Sequence, residues 1–308
     1  MASTESLTLS SATFAKLSPH PFLLANLQPP SGTSIRTNGR QPKQARQPYI
    51  NTSSLSHAHG SAVVRTGDTT VICGVRGETL LTSAIPNYRA PDDLTDANLN
   101  EAKDYDLLVP NIELATGCAP NFLPGVPPTT LAQTLSTRVY SLLHSSKLLD
   151  VSQLRIHQHA YWVLYIDVLF VSFDGNPFDA AWAAILAALR DTRLPEAYWD
   201  PDREMVLCRQ KKSPLSLHGF PVATTAAIFT AKEKQKKGGG KYWTLVDPDR
   251  LEESLCDESV TVVVDRTDGE TKILGLSKSG GIVVGPEVMG DMVAIAELRW
   301  EDMQKATK

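Results

Sequence analysis

The sequence predicts an α+β fold built from two related halves, at about residues 36–190 and 191–308, behind an N-terminal extension of residues 1–35. Two observations favour this fold. Strand-like runs precede helix-like patterns twice along the chain, without an exact sequence repeat, and such segregation is typical of α+β proteins. The 308 residues are 42% hydrophobic, which is enough to bury a substantial core.

The first half is predicted to begin with a docking segment and a hairpin. Residues 1–35 are rich in Ser, Thr and Pro, so we expect a flexible end with one apolar segment, at residues 21–27, that docks on the body. Residues 61–65 and 69–75 are rich in β-branched side chains. Between them, Thr66-Gly67-Asp68 offers a residue that tolerates positive φ and a side chain that bonds its own backbone. These features predict a β-hairpin.

A helix, a buried strand and a second helix complete the first half. Thr129 or Thr130 is the predicted N-cap of a helix whose apolar residues recur at helical spacing, namely Leu131, Leu135, Val139, Leu142 and Leu143. Residues 161–173 are apolar around Asp167 and predict a buried strand. Asn176-Pro177 then opens an alanine-dense helix over residues 178–190, with Asn176 as the predicted capping side chain and Pro177 in the first turn.

The second half is predicted to contain a strand meander and a final helix. Residues 260–265, 272–277 and 281–284 have the pattern of strands, with a turn at Thr267-Asp268-Gly269. Gly285-Pro286 begins a helix that we expect to reach about Lys305. The order of strands followed by a helix repeats the layout of the first half.

Charge and cysteine usage exclude several classes of protein. The formal net charge of −4 makes wholesale coating of nucleic acid improbable, so any RNA contact must come from a local patch. The four cysteines include no close pair, which argues against a disulfide framework or a thiolate metal site and fits a reducing compartment. No signal peptide or membrane helix is expected.

Two smaller features have competing interpretations. Residues 232–241 form a Lys- and Gly-rich segment between strand candidates, which is either a mobile hairpin tip or a basic loop that touches RNA phosphate or a partner. His57-x-His59 and His157-x-His159 each place two imidazoles on one side of an extended segment. Neither pair has a third ligand at metal spacing, so we expect no metal and no cofactor.

Two motifs resemble the opening of the RNase PH family. Members typically read Arg-x-Asp-Gly-Arg and then Gly-Ser-Ala-x-Val-x-x-Gly-x-Thr-x-Val. Here the first element is Arg36-Thr37-Asn38-Gly39-Arg40, and most of the second is matched over residues 60–71. Asn38 stands where the family usually has Asp. The resemblance covers roughly residues 21–305 and implies the family's duplicated fold, of the ribosomal protein S5 domain 2-like type.

The resemblance implies that the phosphate site of active members is lost. In those enzymes inorganic phosphate attacks the 3′-terminal linkage of RNA, and a Gly-Thr-Arg or Gly-Ser-Arg loop at a helix N-terminus holds it. The matching place is Asp174-Gly175-Asn176-Pro177-Phe178-Asp179. Gly175 is present, but no Thr-Arg or Ser-Arg follows it. Pro177 instead removes a backbone donor, and Asp179 adds a charge that repels phosphate.

The paired carboxylates of active members are also incomplete. They read Glu-Asp-Ser and, about six residues later, Asp-Met-Asn, and would support metal binding and leaving-group protonation. Cys256-Asp257-Glu258-Ser259 corresponds to the first element, whereas the second falls near Val263-Val264, just before Asp265. A one-residue shift that used Asp265 would turn its side chain to the other face of the sheet. We therefore expect no catalytic residue.

The resemblance is strongest to the non-catalytic branch found in ring subunits of the eukaryotic RNA exosome. It implies a hetero-hexameric ring of paralogous RNase PH-like subunits around an RNA channel, S1/KH cap subunits, a docked processive ribonuclease, no membrane, and a location in the nucleus, nucleolus and cytoplasm. The alternative is an active phosphate-dependent 3′-to-5′ exoribonuclease with a divergent site. Arg40, Arg46 and Arg89 are the candidate RNA-binding residues, and each is alternatively a structural arginine.

Overall fold

The computed structural model describes residues 10–29, 32–86, 88, 105–120, 122, 129–231, 242–256, 258–281 and 285–307. Its helices are α1 (Ser11–Leu17), α2 (Pro19–Leu27), α3 (Thr130–Ser145), α4 (Pro177–Asp191), α5 (Arg250–Leu255) and α6 (Pro286–Thr307). Its strands are β1 (Pro48–Thr52), β2 (Gly60–Thr66), β3 (Thr69–Leu81), β4 (Leu108–Leu114), β5 (Arg155–His157), β6 (Ala160–Ser172), β7 (Arg193–Asp200), β8 (Met205–Pro214), β9 (Val222–Thr230), β10 (Tyr242–Val246), β11 (Glu258–Asp265) and β12 (Lys272–Ser279).

The first sheet has the strand order β1-β2-β3-β6-β4, with β5 also paired to β6. In the described part of this sheet β4 and β6 pair in parallel, and the other pairings are antiparallel. The predicted hairpin is confirmed, because β2 and β3 pair from Thr66 and Thr69 outward and Gly67 has a φ of +60° in the turn. The buried strand and the Thr129 cap of α3 are confirmed as well.

The second sheet has the order β10-β9-β11-β12, and β7 pairs with β8 in a separate two-stranded ribbon. The predicted strands at residues 260–265 and 272–277 are β11 and β12, and the final helix is α6. The turn between the strands is also confirmed, because Gly269 N donates to Arg266 O over 3.0 Å. The predicted strand at residues 281–284 lies outside the described residues, apart from Gly281.

Helix α4 lies at the centre of the molecule. Its alanines allow close packing, and it contacts β2 and β3 of the first sheet and β9 of the second. Two indole N–H groups also tie helices to the segment before β9. Trp182 Nε1 on α4 donates to Pro221 O, and Trp300 Nε1 on α6 donates to Phe220 O, each over 2.8 Å. One continuous hydrophobic core therefore joins the two sheets.

The predicted docking segment is confirmed as part of α2. Leu23 and Leu27 are fully buried against Phe229, Trp243 and Leu245 of the second sheet, in a small core separate from the main one. The N-terminal extension therefore packs on the second half of the molecule. No helix among the described residues is long and apolar enough to cross a membrane.

Candidate functional site

The corner between β6 and α4 is the place that corresponds to the family's phosphate loop. Gly175 and Asn176 both have left-handed backbone conformations, with φ of +79° and +51°. A Cβ atom on Gly175 would lie 2.5 Å from the carbonyl carbon of Asp249 and 2.7 Å from Arg250 N. The start of α5 therefore packs directly against this corner, and only glycine fits between them.

The predicted capping role of Asn176 is wrong. Its backbone is left-handed, and its side chain forms no capping hydrogen bond with a backbone N–H of α4. Asn176 Nδ2 instead donates to Asp179 Oδ2 and Asp247 Oδ1, each at a distance of 2.8 Å. Its backbone N–H donates over 2.7 Å to Glu253 Oε1 on α5. The donors of the corner thus meet carboxylates of the chain itself.

Burial perturbs two of these carboxyl groups. The side chain of Glu253 extends from α5 to the corner. Burial raises the pKa of Glu253 to about 7, and Asp179 and Asp247 also disfavour its charged form. Asp179 is partly buried, and burial raises its pKa although Asn176 and Thr225 hydrogen-bond to it. Thr225 on β9 donates to Asp179 through its backbone N–H at 2.8 Å and through Oγ1 at 2.7 Å.

Arg46 and Asp247 form the centre of a polar cluster beside the corner. Arg46 donates to Asp247 from its backbone N, Nε and Nη2, each at a distance of 2.8 Å. Its Nη1 donates to Asp174 O, also at 2.8 Å. Burial alone would raise the pKa of Asp247, but the hydrogen bonds and charge of Arg46 outweigh it and lower the pKa well below its ordinary range. Asp247 therefore stays ionised in the folded protein.

Arg36 and Glu252 form a second ion pair in which both side chains are fully buried. Arg36 donates to both carboxylate oxygens of Glu252 and to the carbonyl oxygens of Val246 and Asp247. Glu252 also closes a capping box with Asp249 at the start of α5. We call Arg36, Arg40, Arg46, Asp247 and Glu252 the polar hub.

The geometry explains the asparagine that departs from the family motif. Asn38 Nδ2 donates to Asp249 Oδ2 over 3.1 Å, and Asn38 Oδ1 accepts from Arg40 N over 3.1 Å. An aspartate at position 38 would bring two carboxylates together with no donor between them. The amide therefore suits the neighbour that α5 supplies in this chain.

A cleft of about 280 Å³ opens on the other side of the corner. Arg138 of α3 borders this cleft, and its guanidinium lies 4.0 Å from the ring centre of Phe178. Arg138 Nη2 donates to Thr261 Oγ1 at a distance of 2.9 Å. Glu258, in the first acidic element, has a fully buried carboxylate whose Oε1 lies 2.8 Å from Lys278 Nζ. The cleft thus contains both cationic and acidic side chains.

The second acidic element provides no partner for Glu258. Val263 and Val264 are buried in the core, and Asp257 lies outside the described residues. Asp265 accepts from the backbone N of Phe220 and Thr267 at 3.1 and 3.0 Å, so its carboxylate holds the turn after β11.

Comparison with known proteins agrees with this architecture. The profile of the 3′ exoribonuclease family, domain 1, matches residues 44–195, and that of domain 2 of the same family matches residues 219–297. The chain belongs to the 3′ exoribonuclease family. Among curated relatives, the exosome complex component rrp43 of Schizosaccharomyces pombe is 30% identical over 296 residues, which are 96% of this chain and 97% of the relative. The exosome complex component Rrp42 of Archaeoglobus fulgidus is 28% identical and covers 85% of this chain and 86% of its own.

Solved structures of exosome chains confirm the fold. A chain of the Archaeoglobus fulgidus exosome with RNA bound to the active site superposes with a TM-score of 0.70 at 24% identity, covering 94% of this chain and 97% of that one. A chain of an archaeal exosome core gives a TM-score of 0.65, also at 24% identity, with 92% and 96% coverage. The predicted RNase PH-like α+β fold is therefore correct.

Two of the three candidate RNA-binding arginines have largely buried side chains. Arg40 and Arg46 have side chains only 12% and 10% exposed, and both donate to Asp247. Burial lowers the pKa of Arg40 to about 10, and the neighbouring charge of Arg36 acts in the same direction. This geometry agrees with the structural alternative for both residues. RNA binding by them stays a prediction, and Arg89 lies outside the described residues.

Sequence reasoning overlooked several residues of the site. Glu253, Arg138 and Lys278 were not selected, because each acts through contacts with elements that are distant in the sequence. One signal was available: Asp249-x-x-Glu252 has the spacing of a capping box, and it would have placed the start of α5. The histidine motifs serve other purposes, since His59 Nδ1 accepts from Gly77 N over 3.0 Å, and His157 and His159 pack on Trp199.

Proposed function

We propose that this chain is a non-catalytic ring subunit of an RNA exosome, of the type called ribosomal RNA-processing protein 43. In this role it helps form the RNA channel that supports 3′-to-5′ processing and degradation, including maturation of ribosomal RNA. The curated relatives named exosome complex components support the assembly. The contact between Asn176 N and Glu253 Oε1 supports the lack of catalysis.

The corner is poorly suited to bind phosphate. Phosphate binding at a helix N-terminus needs free backbone N–H groups and positive charge. Here the N–H of Asn176 is bonded to Glu253, and Pro177 has none to offer. Asp174 and Asp179 lie on either side of the corner, and the charge of Arg46 is already matched by Asp247. An incoming anion would have to displace Glu253 and would meet uncompensated carboxylates.

The sheet edges support a role in assembly. Ile273 and Leu276 lie on the edge strand β12 with 54% and 56% of their surfaces exposed, and Tyr49 on the edge strand β1 is 71% exposed. Exposed apolar side chains on an open edge favour a covering partner. We propose paralogous RNase PH-like subunits as those partners, in interfaces of roughly 1,000 Å² or more.

The wider assembly follows from the same assignment. We propose a hetero-hexameric ring, capped by subunits with S1 and KH domains and docked to a processive ribonuclease. We further propose the nucleus and nucleolus as its main location, with a share in the cytoplasm. Imaging of a tagged chain beside a tagged ring paralogue tests the location, and separate distributions would contradict it.

A nucleotide-release assay tests the lack of catalysis. The purified chain is incubated with single-stranded RNA and inorganic phosphate, and nucleoside diphosphates are measured. We expect none above the level of a phosphate-free control. In a reconstituted ring, Glu258→Gln, which keeps the side-chain shape, should leave assembly and phosphate-dependent decay unchanged. Release by the pure chain that this substitution abolishes would overturn the proposal.

The alternative function is phosphate-dependent exoribonuclease activity through a divergent site. The cleft beside the corner favours it, because Arg138 supplies a cation and Glu253 and Glu258 supply carboxyl groups around a volume of about 280 Å³. Lys278 adds a second cation, 2.8 Å from Glu258. The same assay separates the two functions, with Arg138→Gln as a second variant. Diphosphate release that depends on both Arg138 and Glu258 would identify the alternative as correct.

A further inference from the structure

The ribbon of β7 and β8 is a separate two-stranded sheet, and one of its strands is largely exposed. Residues 208–214 of β8 are all exposed, on both faces of the ribbon. Among the described residues, strand β8 pairs only with β7, so that within this part of the chain its outer edge is open. On one side the ribbon faces β5, and a cleft of about 270 Å³ lies between them, lined by residues that include Arg155, Trp162, Pro195 and Ser213.

Positive charge is concentrated at the base of this ribbon. Arg193, Lys211 and Lys212 are exposed, and Arg155 is half-buried at the edge of the cleft. None of the four forms an ion pair with a carboxylate in the part of the chain that the structure describes. The field of Lys212 reaches His59, where burial and this charge together lower the pKa of the imidazole. The base of the ribbon is therefore a cationic surface with little internal compensation.

The remaining charges of the ribbon define where an anion would lie. Arg209 is matched at 3.5 Å by Glu196, which lines the cleft, and its guanidinium lies 5.0 Å from the ring centre of Tyr198. The turn between the strands is acidic, with Asp200, Asp202 and Glu204. An anion would thus be held at the base of the ribbon and repelled by the turn itself.

Exposed aromatic rings lie along the ribbon between its cationic base and its acidic turn. His157 and His159 are exposed at the end of β5, and their rings lie 5.2 Å apart. Both pack on Trp199 of β7, and His157 is parallel to it, with an interplanar angle of 3° and 6.1 Å between ring centres. Flat rings beside unpaired cations form the combination that unstacked bases and a phosphate backbone recognise.

We propose that the face formed by β5 and the ribbon binds single-stranded RNA. Arg155, Arg193 and one of the two consecutive lysines Lys211 and Lys212 contact backbone phosphates on this face, and the other lysine reaches the phosphates around the open edge of β8. His157 with His159 stacks against bases. Duplex RNA is a poor fit because its bases are already stacked and its phosphates are spread over a wider surface. An acidic peptide would use the same cations, but it has no use for the aromatic rings. The choice of RNA over DNA rests on the proposed function, whereas the assignment of this face as a binding surface rests on its charges and aromatic rings.

Binding of a labelled single-stranded oligonucleotide to the full-length chain, followed by fluorescence anisotropy at several salt concentrations, tests the charged part. We expect Lys211→Glu with Lys212→Glu to weaken binding by about tenfold or more and to reduce the salt slope by about 1.4, since each phosphate contact contributes about 0.7 on single strands. The control, Lys16→Glu with Lys305→Glu, changes the net charge equally at two exposed sites elsewhere and should bind as the unchanged protein does.

A second double variant tests the aromatic part. His157→Ala with His159→Ala should weaken binding by about fivefold or more through lost stacking, measured at a pH where free imidazole is neutral, with the salt slope unchanged. A duplex of the same sequence should bind more weakly than the single strand. All the substituted residues are exposed, and circular dichroism confirms that each variant is folded.

Several results would overturn the inference. One is equal binding by the ribbon variant and its charge-matched control. Another is tight binding of an oligoglutamate of the same charge with no effect of the histidine substitutions, which would identify an acidic-peptide surface instead. Assembly with ring paralogues is measured in parallel. Failure of RNA binding with normal assembly removes this inference alone, whereas failure of the unchanged chain to assemble counts against the proposed function.

Discussion

Replacing Arg36 by methionine is a direct test of the polar hub. The side chain is fully buried and donates to Glu252 and to the carbonyl oxygens of Val246 and Asp247. The substitution retains much of the apolar volume but leaves the Glu252 carboxylate without its cation. Removing one partner of a buried ion pair costs about 3–5 kcal/mol. That is a large share of the roughly 5–15 kcal/mol that holds most proteins folded.

Urea unfolding, followed by both tryptophan fluorescence and circular dichroism, measures the effect. The double variant Arg36→Met with Glu252→Gln should lose less than the sum of the two single variants, because it leaves no unpaired charge in the core. Lys43→Met is the control, since the Lys43–Asp291 pair is 58% exposed on each side and should contribute about 1 kcal/mol or less. If Arg36→Met costs no more than Lys43→Met, the hub does not stabilise the fold in the way argued here.

Three further predictions concern pH, the N-terminal helix and the basic segment. The folded protein holds a proton on Glu253 up to about pH 7, whereas the unfolded chain releases it near pH 4.5, so the contribution of Glu253 to stability declines as the pH rises between those values. Glu253→Gln should flatten this decline of the urea midpoint with pH, and an identical pH profile in the variant would refute the prediction. Leu27→Ala should cost about 2–5 kcal/mol in the same assay and expose Trp243 to solvent, seen as a red-shifted emission; an unchanged spectrum and midpoint would show that α2 does not dock. Deleting residues 232–241 should leave the midpoint nearly unchanged because the segment is densely charged and glycine-rich, and a loss of several kcal/mol would show that it packs.

Elements with a strong local signal were predictable from the sequence. The hairpin, α3 and the alanine-dense α4 follow from periodicity, turn chemistry and caps that lie within a few residues of one another. The length of β3 was not predictable in this way. The apolar pattern ends near Val75 and is followed by Arg76-Gly77-Glu78, yet the strand runs to Leu81 because β6 pairs with it along this whole stretch. Pairing with a distant strand overrode the local pattern.

The candidate site was less predictable because its contacts are long-range. Arg36 and Glu252 are separated by 216 positions, and nothing near either residue indicates that they pair. Asn176 looked like a cap because it precedes a first-turn proline. The left-handed backbone that removes it from that role is accompanied by hydrogen bonds to Asp179, Asp247 and Glu253. Local chemistry predicts a cap here, and tertiary contacts decide against it.

The arginine motif of this chain has a structural role that is separate from phosphorolysis. Arg36 and Arg40 come from the first half, and they donate to Asp247 and Glu252 at the start of α5 in the second half. Asn38 adds a bond to Asp249, the residue that caps the same helix. The motif therefore fastens α5 against the corner, and α5 supplies Glu253 to the N–H of Asn176. Retaining these arginines is thus compatible with the proposed loss of phosphate binding, because the helix that they anchor carries Glu253, which accepts from the N–H of Asn176.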